Sequence, residues 1–247
     1  MVPSAEKEKR RDSLISADDN RAMFDRIAGW YDGTNRLLSL GFDRYWRRRA
    51  IAALAPQPGS VHLDVGCGTA DVALEIVRFQ PESYVIGVDR SEGMLALGRE
   101  KVHQAGLADR ISLLEGDALD LQFRDNSFAG VITSFCIRNV THRQRALREF
   151  HRVLAPGGRL VILELTDPQN ALMKPLFRIY SNIVMPLVTK IMSSASAYRY
   201  LTDSMADFPS PDRFTSIIEE SGFVEATHAG MMGGITTLFT ASKSPLL

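Results

Sequence analysis

The stretch LDVGCGTADVALEI, Leu63–Ile76, changes its periodicity twice. It opens as the end of a β-branched run, bends through Gly66 and Gly68, and continues from Asp71 with apolar residues at the spacing of an amphipathic helix. A strand, a glycine turn and a helix in that order bring backbone N–H groups to a helix N-terminus, where glycines let a ligand approach the main chain. Outward from this junction the same alternation recurs in SYVIGVD, ISLLEGD, FAGVITSF and GRLVILEL. Helices are expected between them over Asp71–Phe79, Gly93–Ala105 and Gln144–Leu154, the last closed by APGG. PSPDRFTSIIEESGF predicts a further helix stopped at Gly222, and FVEATHAGMMGGITTLFTASK predicts a closing hairpin at a sheet edge. The pattern is that of an α/β fold: a mostly parallel, seven-stranded sheet with helices on both faces.

Two regions lie outside the alternation. Ala22–Leu54 carries apolar residues at helical spacing, with Gly29, Gly33 and Gly41 as punctuation, and predicts two or three short helices. A helical cap insert is expected over about residues 167–208. In open parallel sheets ligands bind beyond the carboxyl ends of the strands, and both segments are expected to cover that crevice. Residues 1–20 read as a polar, flexible N-terminal tail and residues 21–247 as a single domain.

Composition narrows the function classes. The chain has 247 residues, 45% hydrophobic and 23% charged, which fits a globular domain rather than a disordered or membrane-embedded one. Its 29 Lys+Arg balance 29 Asp+Glu, so the basic excess of a nucleic-acid binder is missing. Cys67 and Cys136 have no ligand or disulfide spacing, which predicts free thiols, a reducing compartment and no metal. The N-terminus lacks the apolar run of a secretory signal, and IVMPLVTKIM (183–192) is too short to span a bilayer, so a cytoplasmic protein is expected.

The glycine bend has acidic company. Asp89 ends the second strand about twenty positions on, where a carboxylate accepts hydrogen bonds from ribose hydroxyls. Asp64 stands two residues before Gly66. A dinucleotide's pyrophosphate would be repelled there, whereas the ammonium and sulfonium of S-adenosylmethionine (SAM) would be attracted. The third glycine of the dinucleotide fingerprint is absent, since Ala70 and Asp71 follow Thr69, and no Tyr-x-x-x-Lys pair occurs. Asp117, after the third strand, is placed to accept from an adenine amino group. SAM is the expected cofactor; NAD is the rival.

MFDRIAGWYDGTNRLLSLGFDRYW, LDVGCGTAD, FCIRNVTHRQRALREFHRVLAPGGRLVILEL and AYRYLTDSMADFPSPDRFTSIIEESGF together resemble the quinone-biosynthesis C-methyltransferases, which act on demethylmenaquinol and, in some members, on its ubiquinone-pathway counterpart. The resemblance runs from about Met23 to the C-terminus and implies a Rossmann-like class I SAM-dependent methyltransferase. It matches Thr69, Asp89, Asp117, Ala118 and Ser134 to the family's SAM-contacting positions. Thr34 and Asp43 stand where the family usually has methionine and histidine, Cys67 and Ala70 where glycine is common; these bear on ring-substituent preference more than on reaction type. The implied substrate is a polyprenylated quinol, which brings peripheral contact with the inner face of the membrane; a homodimer is compatible.

Carbon methylation of a quinol requires a ring hydroxyl to lose its proton, and a phenol-like group has a reference pKa of about 10. A fixed cation beside the oxygen lowers that value. Arg138, after the fourth strand, is the candidate cation, with Asn139 adjacent for orientation, and a structural arginine bonding loop carbonyls is the alternative; guanidinium stays protonated and is not the base. Tyr31, Asp32, His142 and solvent are the alternatives for the proton acceptor. The ordinary reading for His62 is a packed strand residue, and His151 and His228 show no ligand spacing. Cys136 follows Phe135 where pyrimidine C5-methyltransferases usually place proline before their nucleophile, so it reads as a packed thiol. Tyr198, Arg199 and Tyr200 are candidates for the quinol pocket or for anchoring the cap, and Phe177, Ile183, Val184, Met185, Leu187 and Met192 for an apolar slot, a docking surface or ordinary helix packing; RYWRRR (44–49) reads as a solvated basic helix, with anionic lipid headgroups as the alternative. A methyltransferase of another phenolic compound and a SAM-binding, non-catalytic subunit are the competing functions.

Overall fold

The computed structural model describes residues 17–168, 175 and 203–245. Most of the expected cap insert, with Tyr198, Arg199, Tyr200 and the apolar set between Phe177 and Met192, lies outside the described residues.

Two N-terminal helices, α1 (Ala17–Leu38) and α2 (Asp43–Leu54), precede the sheet. Strand β1 (Val61–Val65), helix α3 (Asp71–Phe79), β2 (Tyr84–Asp89), α4 (Glu92–Gln104), β3 (Ile111–Glu115) and β4 (Phe128–Ser134) follow. The chain continues through a 3-10 turn (Ile137–Asn139), α5 (Arg143–Val153), β5 (Leu154–Leu165), α6 (Pro211–Glu220), β6 (Val224–Met231) and β7 (Thr236–Ser242). The seven strands are ordered β3-β2-β1-β4-β5-β7-β6. The first five run parallel; β7 lies antiparallel to β5 and to β6, so the expected hairpin forms the sheet's edge.

Side-chain alternation sends each central strand's residues to two cores. Ile132, Val161, Leu163 and Leu238 pack under α2, α3 and α4. Their neighbours Val131, Leu160, Ile162 and Phe239 pack under α5 and α6, against Leu147, Phe150 and Phe214. Burial on both faces is why β1 and β5 read as continuous apolar runs, and why the polar residues that interrupt them, Asp64 and Glu164, stand out.

The helix count before the sheet is within the two or three expected, while element boundaries differ from the expectation at two places. Ala22–Leu54 holds two helices, because α1 runs straight through Gly29 and Gly33, whose α-carbons face open space. Only Gly41, at φ +81°, breaks the chain. The helix begins at Ala17, inside the segment read as tail. Likewise APGG does not form a separate loop: β5 starts at Leu154 and takes up the extra residues as a register shift between Phe128 and Gly130 of β4. Gly157, at φ +74°, sits in that bulge and donates its N–H to the Lys243 carbonyl.

Candidate active site

The crevice at the carboxyl ends of β1, β2 and β4 is built around the glycine bend. Gly66 has φ +71° and donates to the Val88 carbonyl at 2.7 Å; Gly68, at φ +51°, donates to Asp89 Oδ2 at 2.8 Å. A Cβ on Gly66 would lie 2.2 Å from Cys136 Sγ and 2.5 Å from its Cβ, so only glycine permits the bend and the β4 turn to touch. The other Asp89 oxygen accepts the Ser91 N–H at 2.9 Å. Asp89 therefore shapes the cradle by holding both of its sides, and a carboxylate with four acceptor positions retains capacity for ribose hydroxyls. Burial pushes its pKa up.

Asp64 is the least satisfied group in the crevice. It is 1% exposed, and neither carboxylate oxygen has a hydrogen-bond donor in good geometry among the described residues. Burial, reinforced by the like charge of Asp89, pushes its pKa up to about 8, against the Ala73 amide and Arg47. Ser134 Oγ and Asn139 Oδ1 are also buried without partners among the described residues. Lone buried polar atoms are costly and rare, so a group of them along one strand edge marks where a polar ligand supplies the missing bonds. The expected cofactor fits: Asp64 is suited to its ammonium, Asp89 to its ribose. Asp117 accepts its own Leu119 N–H at 2.9 Å in a tight turn after β3, and Ala118 lies beside it, partly buried.

Arg138 sits in the turn after β4, 8% exposed. Its backbone N–H donates to Glu164 Oε2 at 3.0 Å and its Nη1 to Glu164 Oε1 at 2.8 Å; Nη1 also donates to the Phe135 carbonyl. Glu164 is fully buried. Phe135 holds the left-handed region at φ +57°, an uncommon place for a bulky residue, and the guanidinium pins its carbonyl there. Arg143 donates to the Arg138 carbonyl at 2.9 Å and to Asp207 at 3.0 Å. The cation expected from the sequence is thus part of an ion pair. Its long-range field is largely cancelled by Glu164, and the pair fixes the direction of the guanidinium.

Helix α1 lies across the crevice, tied to β3 by the exposed Arg21–Glu115 ion pair at 3.0 Å and fastened at two inner points. Asp25 accepts from Ser91 Oγ at 2.5 Å and from the Gly93 N–H at 3.0 Å, at the start of α4. Asp32 accepts from Thr69 Oγ1 and from Lys101 Nζ, each at 2.7 Å. Lys101 also bonds Asp71 at 2.6 Å, and Arg47 joins Asp71 to Asp43, so a chain of alternating charges ties four helices to the glycine turn. Asp32 and Thr69 are engaged with each other in this chain. Between the fastenings Tyr31 reaches inward: it bonds Asn35 and feels the charges of Arg138 and Asp89. Burial raises its phenol above the ordinary value of 10.0, which makes it a proton donor rather than a base at neutral pH.

The structure thus gathers Asp64, Gly66, Gly68, Asp89, Ser134, Arg138, Asn139 and Tyr31 around one crevice edge. His142 is apart from them, exposed at the start of α5. Cys136 is a packed thiol, its pKa pushed up to about 12 by burial. His62 is a packed strand residue, 2% exposed and bonded to Ser60. The sequence reading missed Glu164 and Asp25. An acidic residue inside VILEL was the available signal for Glu164, since a buried carboxylate needs a partner; Asp25 carried no local signal, because its partners are 66 and 68 residues away.

The protein is 44% identical over 224 residues to a Geobacter sulfurreducens protein named ubiquinone/menaquinone biosynthesis C-methyltransferase UbiE, covering 90% of this chain and 88% of that one. It is 45% identical over 223 residues to demethylmenaquinone methyltransferase of Bacteroides fragilis, covering 90% and 91%. Among solved structures it resembles a chain of the complex between the Haloferax volcanii Trm112 methyltransferase activator and a methyltransferase, with TM-score 0.64, 18% identity and coverage of 90% and 97%. A Haemonchus contortus phosphoethanolamine N-methyltransferase in complex with S-adenosyl-L-methionine matches with TM-score 0.62 and 18% identity, over 80% of this chain and 52% of that one. The family model described as the ubiE/COQ5 methyltransferase family matches residues 13–243, and the chain belongs to that family.

Proposed function

We propose that the protein is a SAM-dependent C-methyltransferase of quinone biosynthesis that methylates the ring carbon of demethylmenaquinol, in loose contact with the membrane that carries its substrate. The observation that carries the reading is the buried Asp64 carboxylate beneath the glycine bend, which has no donor in good geometry among the described residues, in a chain 45% identical to a demethylmenaquinone methyltransferase. SAM, when bound, supplies an activated methyl group. Asp64 and Asp89 bind and orient it, one through charge and one through hydrogen bonds.

On the substrate side, Arg138 presents a donor fork to the quinol oxygen that must ionise. A donor that strengthens its bond as negative charge develops lowers the barrier without tightening ground-state binding equally. Glu164 fixes the fork's direction. Tyr31, held protonated, orients the ring by donating, and Asn139 Oδ1 accepts from a second hydroxyl. α1 covers the crevice and excludes water. The released proton passes to solvent, since the titratable groups around the crevice that are basic enough to take it are ion-paired or buried.

The test is incubation of purified protein with SAM and a short-tailed demethylnaphthoquinol, with mass spectrometry locating a methyl group on ring carbon. Methylation on oxygen, or none with SAM bound, defeats the reading. Arg138→Ala is expected to lower single-turnover methyl transfer by about 10²–10³ with SAM affinity retained.

A further inference from the structure

The corner where α1 meets α2 carries an exposed surface of a distinct kind. Of the ten large hydrophobic residues exposed among the described residues, five fall between positions 30 and 45: Trp30, Leu37, Leu40, Phe42 and Tyr45. Trp30 is 73% and Leu40 69% exposed. Trp30 and Leu37 lie seven residues apart on one stripe of α1, and Gly33 between them leaves the stripe open. Leu40 occupies the connecting turn in the left-handed region, at φ +51°, where glycine or asparagine is the usual occupant. An exposed leucine kept at an unfavourable backbone position is explained by something that covers it.

The charges around this corner are equally biased. Residues 36–49 contain five arginines and one aspartate, in a chain whose net charge is +0. Arg47 is turned inward onto Asp43 and Asp71. Arg44 and Arg49 are exposed and make no ion pair among the described residues, and Arg48 pairs with Glu75 while remaining mostly exposed. An open groove of about 1040 Å³ beside them is lined by six cations, Arg44 and Arg48 among them, against three carboxylates, Asp32, Asp71 and Glu75. Aromatic and leucine side chains for the acyl boundary, flanked by arginines for phosphate, are the two components of a surface that lies on an anionic bilayer.

We infer that the α1–α2 corner is the membrane-docking surface of the protein, inserting Trp30, Leu37, Leu40 and Tyr45 at the headgroup level of an anionic bilayer while Arg44, Arg48 and Arg49 bind lipid phosphates. The inference rests on the proposed lipid-tailed substrate for its purpose, while the surface itself stands on exposure and charge. Its arginines belong to the RYWRRR run, for which the sequence left lipid headgroups and a solvated helix as alternatives, and its apolar residues are not the 177–192 set.

The test is flotation of the full chain with vesicles of phosphatidylcholine alone and of phosphatidylcholine with phosphatidylglycerol. Binding is expected on the anionic vesicles, weakened by salt, and at least about tenfold weaker on neutral ones. The variants Trp30→Ser/Leu40→Ser and Arg44→Glu/Arg49→Glu each lower anionic-vesicle binding at least about tenfold while circular dichroism is unchanged. In Trp46→Phe, which leaves Trp30 as the only tryptophan, emission shifts to the blue on anionic vesicles. Wild-type protein that stays with the unbound fraction, or folded double variants that float like wild type, overturn the inference. So does sedimentation showing a dimer that the double variants dissociate, since the face then belongs to a second copy. Methylation of a short-tailed quinol by the double variants reads the proposed activity separately, so failure of one reading is not mistaken for failure of the other.

Discussion

The proposed pairing of Asp64 with the cofactor's ammonium makes cofactor binding a proton-linked event. With its pKa pushed up to about 8, the carboxyl of the ligand-free protein is about nine-tenths protonated at pH 7. Pairing with the cofactor's ammonium requires the ionised form, so binding must release that proton. The penalty is RT ln(1 + 10^(pKa − pH)), about 1.4 kcal/mol or tenfold in Kd at pH 7, and about a hundredfold at pH 6. Relative to Asp64→Asn, affinity for SAM is expected to rise about a hundredfold between pH 6 and pH 9, saturating above pH 8. Titration calorimetry at pH 7 in two buffers of different ionisation enthalpy should show release of about 0.9 proton per SAM bound. The cofactor's own amino group also titrates, and Asp64→Asn supplies that baseline: its affinity is lower throughout, and the rise with pH is gone. A wild-type Kd that matches at pH 6 and pH 8, with a binding enthalpy independent of buffer, refutes the pairing of Asp64 with the ammonium.

Glu164→Gln leaves Arg138 buried beside a neutral partner, which costs about 3–5 kcal/mol in denaturant stability, and disorients the fork. Its kcat should fall while KM for SAM stays within a few-fold, and equal losses in both would assign Glu164 to cofactor binding instead. Gly66→Ala adds strain at φ +71° and a clash that Cys136→Ala cannot relieve, because the 2.5 Å approach to Cys136 Cβ remains; a loss of at least about 3 kcal/mol is expected in the single and the double variant. His62 has its pKa lowered to about 4 by burial, so the unfolded chain takes up a proton near pH 6.5 that the folded one refuses. Its contribution to stability is present above pH 6.5 and lost as pH falls to 4, by about 3 kcal/mol, and His62→Val should flatten that part of a melting-temperature profile.

Local signals carried the sheet and the cradle. Gly66, Gly68 and Asp89 were legible because strand, turn and helix each announce themselves within a few residues, and the expected α3 coincides with the observed Asp71–Phe79. Boundaries failed where tertiary packing overrode a local cue. Gly29 and Gly33 cost α1 about 1 kcal/mol each, yet the helix persists because its other faces are fastened through Asp25, Asp32 and Tyr31. APGG reads as a stop, but β4 and β7 on either side recruit it into β5. The ionic state of the site was out of reach for a similar reason. Arg138 and Glu164 are 26 residues apart and meet only because β4 and β5 are neighbours, so the sequence showed a cation where the fold has an ion pair.

Helix α1 has one further consequence, expressed in work rather than in structure. Trp30 and Tyr31 are consecutive, so they leave the helix about a hundred degrees apart, one into solvent and the other toward Arg138. On the proposed docking, lipid surface and reacting centre are separated by roughly the thickness of one helix, about 10 Å. Drawing a whole polyprenyl chain into water costs on the order of 0.8 kcal/mol for every methylene exposed, a sum no single enzyme–substrate encounter recovers. Raising only the ring by one helix diameter exposes a few carbons of the first isoprene unit. Substrates of different tail length should then demand nearly the same extraction work, since the part of the tail that differs never leaves the bilayer.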